Sequence, residues 1–187
     1  MTRLALLRHG DTAWSRAGRI QGRTDLPLLQ NISISLPDAC RGMRVVTSPL
    51  ARCVQTAALI GAPDAPREPR ISEMSWGDWE GESFAALRER LGEEMRRNEE
   101  RGLDFQPPQG ESPRLVIERT RPWLREVAAE AVPTLAVTHR GVIRAILAEA
   151  TGWDMRGKPP AKLDWGAVHL FNLAADGTPR VLQLNVG

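Results

Sequence analysis

The sequence predicts an α/β protein in which helices cover both faces of a mostly parallel central sheet, forming a three-layer α/β/α sandwich. Short, unbroken apolar runs alternate along the chain with longer segments of helical periodicity, a pattern typical of strands buried on both faces. The chain has 187 residues, of which 42% are hydrophobic, and this is enough for one sizeable core. We therefore expect a single domain over residues 1–187.

Five apolar runs are predicted strands. The first ends at Arg8 and His9, and the third ends at His139. Asp176-Gly177 lies between the last two runs and predicts a hairpin that joins them. The predicted strands span residues 3–7, 43–47, 133–138, 167–173 and 180–184.

Four segments between these strands are predicted helices. Apolar residues recur at the helical period in the second of them, and Ser112-Pro113 places an N-cap before a proline at the first helical position of the third. Residues 28–42 fit a short strand as well as a loop, and residues 102–111 predict a loop or lid. The predicted helices span residues 50–60, 83–97, 112–131 and 142–150.

The charge balance and the absence of targeting signals exclude several classes of partner. Lys and Arg total 25 and Asp and Glu total 23, and a net charge of +2 is too small for a general nucleic-acid binder. No apolar run approaches the roughly 18 residues of a membrane span, and no signal-peptide cleavage site follows the apolar start. Cys40 and Cys53 are too few for a zinc site, and no disulfide is expected. We expect a cytoplasmic protein without nucleic-acid or membrane partners.

Polar side chains follow three of the predicted strands at their carboxyl ends, where α/β sheets bind ligands. His9 and His139 are among them, together with Arg8 and, one turn into the following helix, Arg52. Arginines make up 23 of the 25 cationic residues, so any anion site in this chain is expected to use guanidinium groups. This edge of the sheet is therefore the predicted active site.

The chain also carries a series of motifs in a characteristic order. They are residues 6–14 with the Arg-His-Gly motif, residues 18–28, residues 48–57, Glu73 with residues 79–81, and residues 137–144. From residue 3 to about residue 150 this order resembles the histidine phosphatase superfamily, also called phosphoglycerate mutase-like or RHG phosphatases. The resemblance implies a phosphoglycerate mutase-like fold and a phosphoric monoester hydrolase.

The resemblance assigns each expected site residue a role. His9 is implied as the nucleophile that forms a phosphohistidine, His139 as a donor to the transferring oxygens, and Glu73 as the acid that protonates the leaving alkoxide. Arg8 and Arg52 are expected to hold the phosphate and to lower the pKa of His9. No metal or cofactor is expected, because these groups supply the positive charge. The residues expected to bind substrate are Arg8, Ser15, Gln21, Gly22, Arg52 and Arg140.

Three residues keep alternative interpretations. The acid role of Glu73 stays open to Glu80, Glu82 and Asp78, which are close to it in sequence, although we expect Glu80 to hold structure. His169 lies in the middle of a predicted strand and is expected to be structural. Arg140 stands where the family often has a small residue. It either pairs with a carboxylate at the pocket rim, in residues 78–82, or selects substrates with a second anionic group.

The identity of the substrate stays open at this level. Ser15 stands where the family often has Asn, and specificity is expected to depend on residues 30–36 and 103–111. We expect a small phosphorylated metabolite as substrate and a monomer or homodimer. The alternatives are an α-ribazole-phosphate phosphatase, a cofactor-dependent phosphoglycerate mutase and a non-catalytic phosphoester-binding domain. The modest stretch between Glu73 and His139 favours hydrolysis over the mutase reaction.

Overall fold

The computed structural model describes residues 1–187 and contains one five-stranded sheet. Its strands are β1 (Thr2–Arg8), β2 (Arg44–Thr47), β3 (Thr134–Thr138), β4 (Val168–Leu173) and β5 (Pro179–Val186). They lie in the order β2-β3-β1-β4-β5, so each of the five predicted strands is present.

The sheet is mixed. β3 pairs in parallel with β1 and with β2, whereas β4 is antiparallel to both β1 and β5. Only β4 runs against the other strands, but half of the strand pairings are antiparallel, so the sheet is less parallel than expected. The predicted hairpin accounts for the β4–β5 pairing: the amide of Ala174 donates to the carbonyl of Thr178 at 2.9 Å, and so short a connection can join only antiparallel strands.

Helices cover both faces of the sheet, which confirms the three-layer sandwich. The face of β1 that carries Leu4 and Leu6 packs against α5 and α6, and the face that carries Ala5 and Leu7 packs against α2. A smaller cluster beside the sheet joins α3 and α4 through Leu87. The helices are α1 (Ala13–Arg16), α2 (Ala51–Leu59), α3 (Phe84–Leu91), α4 (Glu93–Glu99), α5 (Pro113–Glu130) and α6 (Arg140–Thr151).

Two predicted helices differ in their bounds. The helix expected over residues 83–97 is two helices, because Gly92 adopts φ +50° and ψ −116°, a conformation that ends α3 and starts α4. The helix expected from Val142 begins two residues earlier, with His139 as its N-cap, so Arg140 lies in its first turn.

The two segments without a firm prediction are irregular. Residues 28–42 form no strand and contain a single 3₁₀ turn at Asp38–Cys40. Residues 102–111 begin with a 3₁₀ turn at Gly102–Asp104 and continue as a loop.

Cys40 and Cys53 are both free and buried. None of the helices combines the length and the apolar composition that a bilayer crossing requires.

The break at Gly92 predicts a stability effect. No atom lies within 4 Å of a Cβ added there, so the cost of Gly92→Ala would be conformational, about 1–3 kcal/mol. Gly152, which ends α6 at φ +71° and ψ 14°, is an equally open control in the milder left-handed region. Urea denaturation should show a larger loss for Gly92→Ala than for Gly152→Ala. Equal losses would mean that the unusual ψ at Gly92 adds no strain.

Candidate active site

The carboxyl ends of the three parallel strands bring the two histidines together. The amide of His9 donates to the carbonyl of Thr138, and the amide of Ser48 donates to the carbonyl of Val137, each at 3.0 Å. These bonds extend the ladders by one residue beyond β1 and β2. The rings of His9 and His139 consequently lie with their centroids 5.1 Å apart.

His9 is buried and held in one tautomer. Its Nδ1 lies 2.7 Å from the carbonyl oxygen of Gly10, which can only accept, so Nδ1 carries the proton. Nε2 then presents its lone pair, and Nε of Arg52 donates to it at 3.3 Å. Burial, followed by the charges of Arg8 and Arg52, lowers the pKa of His9 well below its ordinary value. The imidazole is therefore neutral at physiological pH.

Arg52 is fully buried and contacts no carboxylate. Its terminal nitrogens donate to the carbonyls of Gly22 at 2.7 Å and Thr24 at 3.1 Å. These dipoles satisfy the guanidinium without cancelling its charge. Burial lowers the pKa of Arg52, but an arginine remains charged at neutral pH.

Arg8, which precedes His9 in the chain, is also buried. One of its terminal nitrogens lies 3.7 Å from Asp11, and its Nε is buried without a hydrogen-bond partner. Burial, with the charge of Arg140 next in size, lowers the pKa of Arg8 to about 10, so it stays protonated at neutral pH. An unsatisfied guanidinium nitrogen beside a histidine is a ready donor for an anion.

His139 lies in a polar contact network that sequence reasoning missed. Its Nε2 lies 2.8 Å from the hydroxyl of Ser48 and 3.3 Å from the thiol of Cys53. Burial raises the pKa of Cys53, so the thiol stays protonated, and it also lowers the pKa of His139, which stays neutral. The only sequence signal for this contact was that Ser48 and Cys53 flank Arg52 in the same motif.

Glu73 is buried against the backbone at the start of α6. Its Oε1 accepts from the amides of Met74 at 2.8 Å and Gly141 at 3.0 Å. The segment is held in place because the hydroxyl of Thr138 donates to the carbonyl of Ile71 at 2.7 Å. Burial raises the pKa of Glu73 even though the two amides favour its ionised form. This carboxyl can therefore hold a proton at a higher pH than an ordinary glutamate.

Glu80 has a different environment. It accepts from the amides of Arg23 and Thr24, both at 2.7 Å, and from the amide of Trp76 at 3.3 Å. Burial opposes its ionisation, but the hydrogen bonds from the Thr24 hydroxyl and these amides outweigh burial and lower its pKa. Glu80 thus remains a carboxylate that ties residues 22–24 to the neighbouring loop.

Ser15 and Gln21 each form a hydrogen bond with Thr12. The Ser15 hydroxyl accepts from the amide of Thr12 at 2.9 Å and donates to Asp11 at 3.2 Å, as part of the N-cap of α1. Gln21 accepts from the Thr12 hydroxyl at 2.6 Å, and its Nε2 is buried without a partner. Ser15 is therefore engaged locally, whereas Gln21 has a donor to spare; the binding of substrate by either residue stays a prediction.

A cleft of about 930 Å³ opens beside Arg8 and His9. Residues 32–35 form one wall, as expected for the 30–36 loop. The second wall is formed by residues 162–166, the segment before β4, which sequence reasoning did not single out. Residues 103–111 do not line this cleft, and their expected part in specificity stays a prediction. They pack instead near Trp76 and α4.

Arg140 forms no ion pair, which overturns the rim-carboxylate interpretation. Glu80 is bound to backbone amides, and Glu82 pairs with Arg90 at 2.7 Å. The guanidinium carbon of Arg140 lies 4.8 Å from the ring centroid of Trp165, on the second wall of the cleft.

Two neutral histidines lie close to the buried guanidinium groups of Arg8 and Arg52 at the strand ends, an arrangement that suits an anionic ligand. The sequence model described as histidine phosphatase superfamily (branch 1) matches residues 4–187. The chain therefore belongs to the histidine phosphatase superfamily and is an enzyme of the phosphatase class.

Individual relatives agree with this membership. The chain is 28% identical to a 2,3-bisphosphoglycerate-dependent phosphoglycerate mutase 2 of Gloeobacter violaceus, over 95% of this chain and 89% of the relative. It is 30% identical to a metal-independent phosphoserine phosphatase of Arabidopsis thaliana, over 84% and 72%. A solved structure of a mycobacterial glucosyl-3-phosphoglycerate phosphatase in complex with VO3 has the same fold, with a TM-score of 0.76, 23% identity and full coverage of both chains.

The lowered histidine pKa values predict that stability falls in mild acid. His9, His139 and His169 are all buried with lowered pKa values, so below pH ~6.5 the unfolded chain binds more protons than the folded one. Each histidine should cost up to about 1.4 kcal/mol per pH unit as the pH falls toward its folded pKa. The raised pKa of Glu73 acts oppositely, because its contribution is lost as pH rises.

Urea denaturation of wild type and His169→Gln between pH 8 and pH 5 isolates the histidine effect from that of Glu73. His169 lies in β4, away from His9, and its Nδ1 accepts from the amide of Asn185 at 3.2 Å. The variant should show a shallower loss of unfolding free energy below pH ~6.5. Parallel curves for the two proteins would contradict the expected contribution of His169.

Proposed function

We propose that this protein hydrolyses the phosphomonoester of a small metabolite through a phosphohistidine on His9. The observation that carries the proposal is the orientation of His9. The Gly10 carbonyl holds the proton on Nδ1, so the Nε2 lone pair faces the guanidinium of Arg52. A neutral nucleophile avoids repulsion from the dianionic ester, and the arginines attract that ester.

In the first proposed step, Nε2 of His9 attacks phosphorus as the bond to the leaving oxygen breaks. Glu73 gives its proton to the leaving alkoxide, which departs as the alcohol. Arg8, Arg52 and His139 stabilise the charge on the equatorial oxygens. The burial that raises the pKa of Glu73 supports its role as an acid near neutral pH.

In the second step, the Glu73 carboxylate takes a proton from water, and the resulting oxygen attacks phosphorus. The bond from phosphorus to Nε2 breaks, phosphate leaves and neutral His9 is regenerated, so Glu73 holds its proton again. No metal enters either step, because the guanidinium groups supply the positive charge. The free Nε2 of Gln21 is available to donate to the substrate. The carbonyl of Gly22 orients Arg52 by accepting from its guanidinium.

The open cleft favours water as the acceptor. The relative from Gloeobacter violaceus is named a mutase and that from Arabidopsis thaliana a phosphatase, so homology alone leaves both reactions. A mutase must exclude water so that the phosphoryl group returns to an organic acceptor. Here Ser33, Ser35, Lys162 and Asp164 line the cleft and are exposed.

The proposed intermediate can be trapped directly. Wild type incubated with ³²P-labelled substrate and quenched in alkali should retain label, whereas acid quenching should remove it, because phosphohistidine is acid-labile. His9→Ala should retain none and should lose turnover, since the attacking atom is absent. His169→Ala serves as the control for removal of a buried histidine. Label that survives acid, or that persists in His9→Ala, would assign the nucleophile to another residue.

The acid role of Glu73 predicts a dependence on the leaving group. Glu73→Gln should lower kcat/KM by about 10²- to 10⁴-fold for an alkyl phosphate, and much less for p-nitrophenyl phosphate, whose phenolate hardly needs a proton. The parameter kcat/KM reports the first phosphoryl transfer, so the later base role does not enter it. Glu80→Gln alters the carboxylate that binds backbone amides, and it should change kcat/KM by the same factor for both substrates. A similar loss on both substrates in Glu73→Gln would remove Glu73 from the acid role.

A further inference from the structure

The side chain of Arg140 packs over an aromatic ring, and its hydrogen-bond donors have no partner. Its side chain forms neither a hydrogen bond nor an ion pair, yet its guanidinium carbon lies over the ring of Trp165 at 4.8 Å. Contact with an indole ring uses the flat face of a guanidinium and leaves the N–H groups at its edge free. A guanidinium held in this way loses less conformational freedom when it binds a planar anion.

The free edge lies close to the proposed site of phosphoryl transfer. Arg140 follows His139 directly and starts α6, whose next amide, that of Gly141, donates to Glu73. Its charge contributes to the lowered pKa values of both Arg8 and His9. Trp165 lines the cleft beside His9, so its contact with Arg140 joins the second cleft wall to the start of α6.

The acidic groups nearby are engaged elsewhere. Asp11 lies 3.7 Å from Arg8 and 3.5 Å from Arg16, and Asp164 accepts from the amide of Gly166 at 2.9 Å. Glu73 is bound to backbone amides. Arg140 therefore presents a positive charge that no carboxylate of the chain contacts.

We propose that Arg140, held over Trp165, is a specificity residue that selects phosphomonoesters carrying a second anionic group. The inference rests on the proposed phosphatase function and names its class of substrate. While the phosphoryl group lies on His9 between Arg8 and Arg52, a carboxylate or second phosphate on the leaving group binds the free edge of Arg140. Arg8 and Arg52 hold the reacting phosphate of every substrate, whereas Arg140 contacts only substrates with the additional charge.

The helix α6 supplies a matched control. Arg144, one turn further along, lies over the ring of Trp153 at 5.2 Å and also has no ion pair. Trp153, unlike Trp165, does not line the cleft. Arg144→Gln therefore removes the same charge and the same kind of ring contact from the same helix, at a ring that lies outside the cleft walls.

The test uses substrates that differ in the second anion. 3-Phosphoglycerate and glycerol 3-phosphate differ by a carboxylate, and fructose 1,6-bisphosphate and fructose 6-phosphate differ by a phosphate, so the two pairs identify the anion. Arg140→Gln should lower kcat/KM for the preferred doubly anionic substrate by about 10- to 100-fold more than for its partner. Arg140→Lys should recover part of the loss, because it keeps the charge without the planar fork. Arg144→Gln should preserve the wild-type ratio.

Three results would overturn the proposal: equal losses on both members of each pair, no preference in wild type, or the same loss in Arg144→Gln. Circular dichroism of each variant verifies the fold. Calorimetric binding of the four compounds to wild type and Arg140→Gln separates this proposal from the proposed function. If none of the four compounds releases phosphate, the proposed hydrolysis of these esters is wrong. A loss of affinity in Arg140→Gln that is confined to the doubly anionic compounds would then still support the role of Arg140. Equal affinities of wild type and Arg140→Gln for these compounds would reject that role.

Discussion

The parallel ladder between β1 and β3 brings the two histidines to one edge of the sheet. Its register pairs Arg8 with Thr138, so the following residues, His9 and His139, leave their strands side by side. β2 pairs in parallel with the other side of β3 and ends at Thr47, which brings α2 and its Arg52 to the same edge. The Thr138 hydroxyl also holds the segment that leads to Glu73. A shift in this register would separate His9, the proposed nucleophile, from His139, Arg52 and Glu73.

The positive charge of Arg52 at this edge is stabilised by dipoles and not by carboxylates. Arg52 is fully buried, but its partners are the carbonyls of Gly22 and Thr24 and the ring of His9. A carboxylate in direct contact would offset the charge and compete with an incoming phosphate. Carbonyl oxygens satisfy the N–H groups and leave the net charge available. Burial lowers the pKa values of Arg8 and Arg52, so it is unfavourable to hold these charges in the fold, and the proposed binding of a dianionic phosphate would offset that cost.

Glu73 and Glu80 show how the environment separates two nearby carboxyls. Glu80 receives three backbone amides and the Thr24 hydroxyl, and its pKa falls. Glu73 receives two amides in a more deeply buried position, and its pKa rises. The first carboxyl is suited to holding two loops together and the second to exchanging a proton. The rise in the pKa of Glu73 follows from its burial at the start of α6, which outweighs the hydrogen bonds from the amides of Met74 and Gly141.

The α/β layers, the five strands and the strand-end positions of Arg8, His9 and His139 could all be predicted from the sequence, because these follow from hydrophobic periodicity and from short-range turn signals. The sequence also placed Arg52 one helical turn after a strand. Tertiary structure alone decided which long-range partners these residues meet. The contact of His139 with Ser48, the cleft wall at residues 162–166 and the position of Arg140 over Trp165 join segments far apart in sequence, and no local pattern encodes them. The break at Gly92 likewise needed the folded backbone, because glycine permits a positive φ without requiring one.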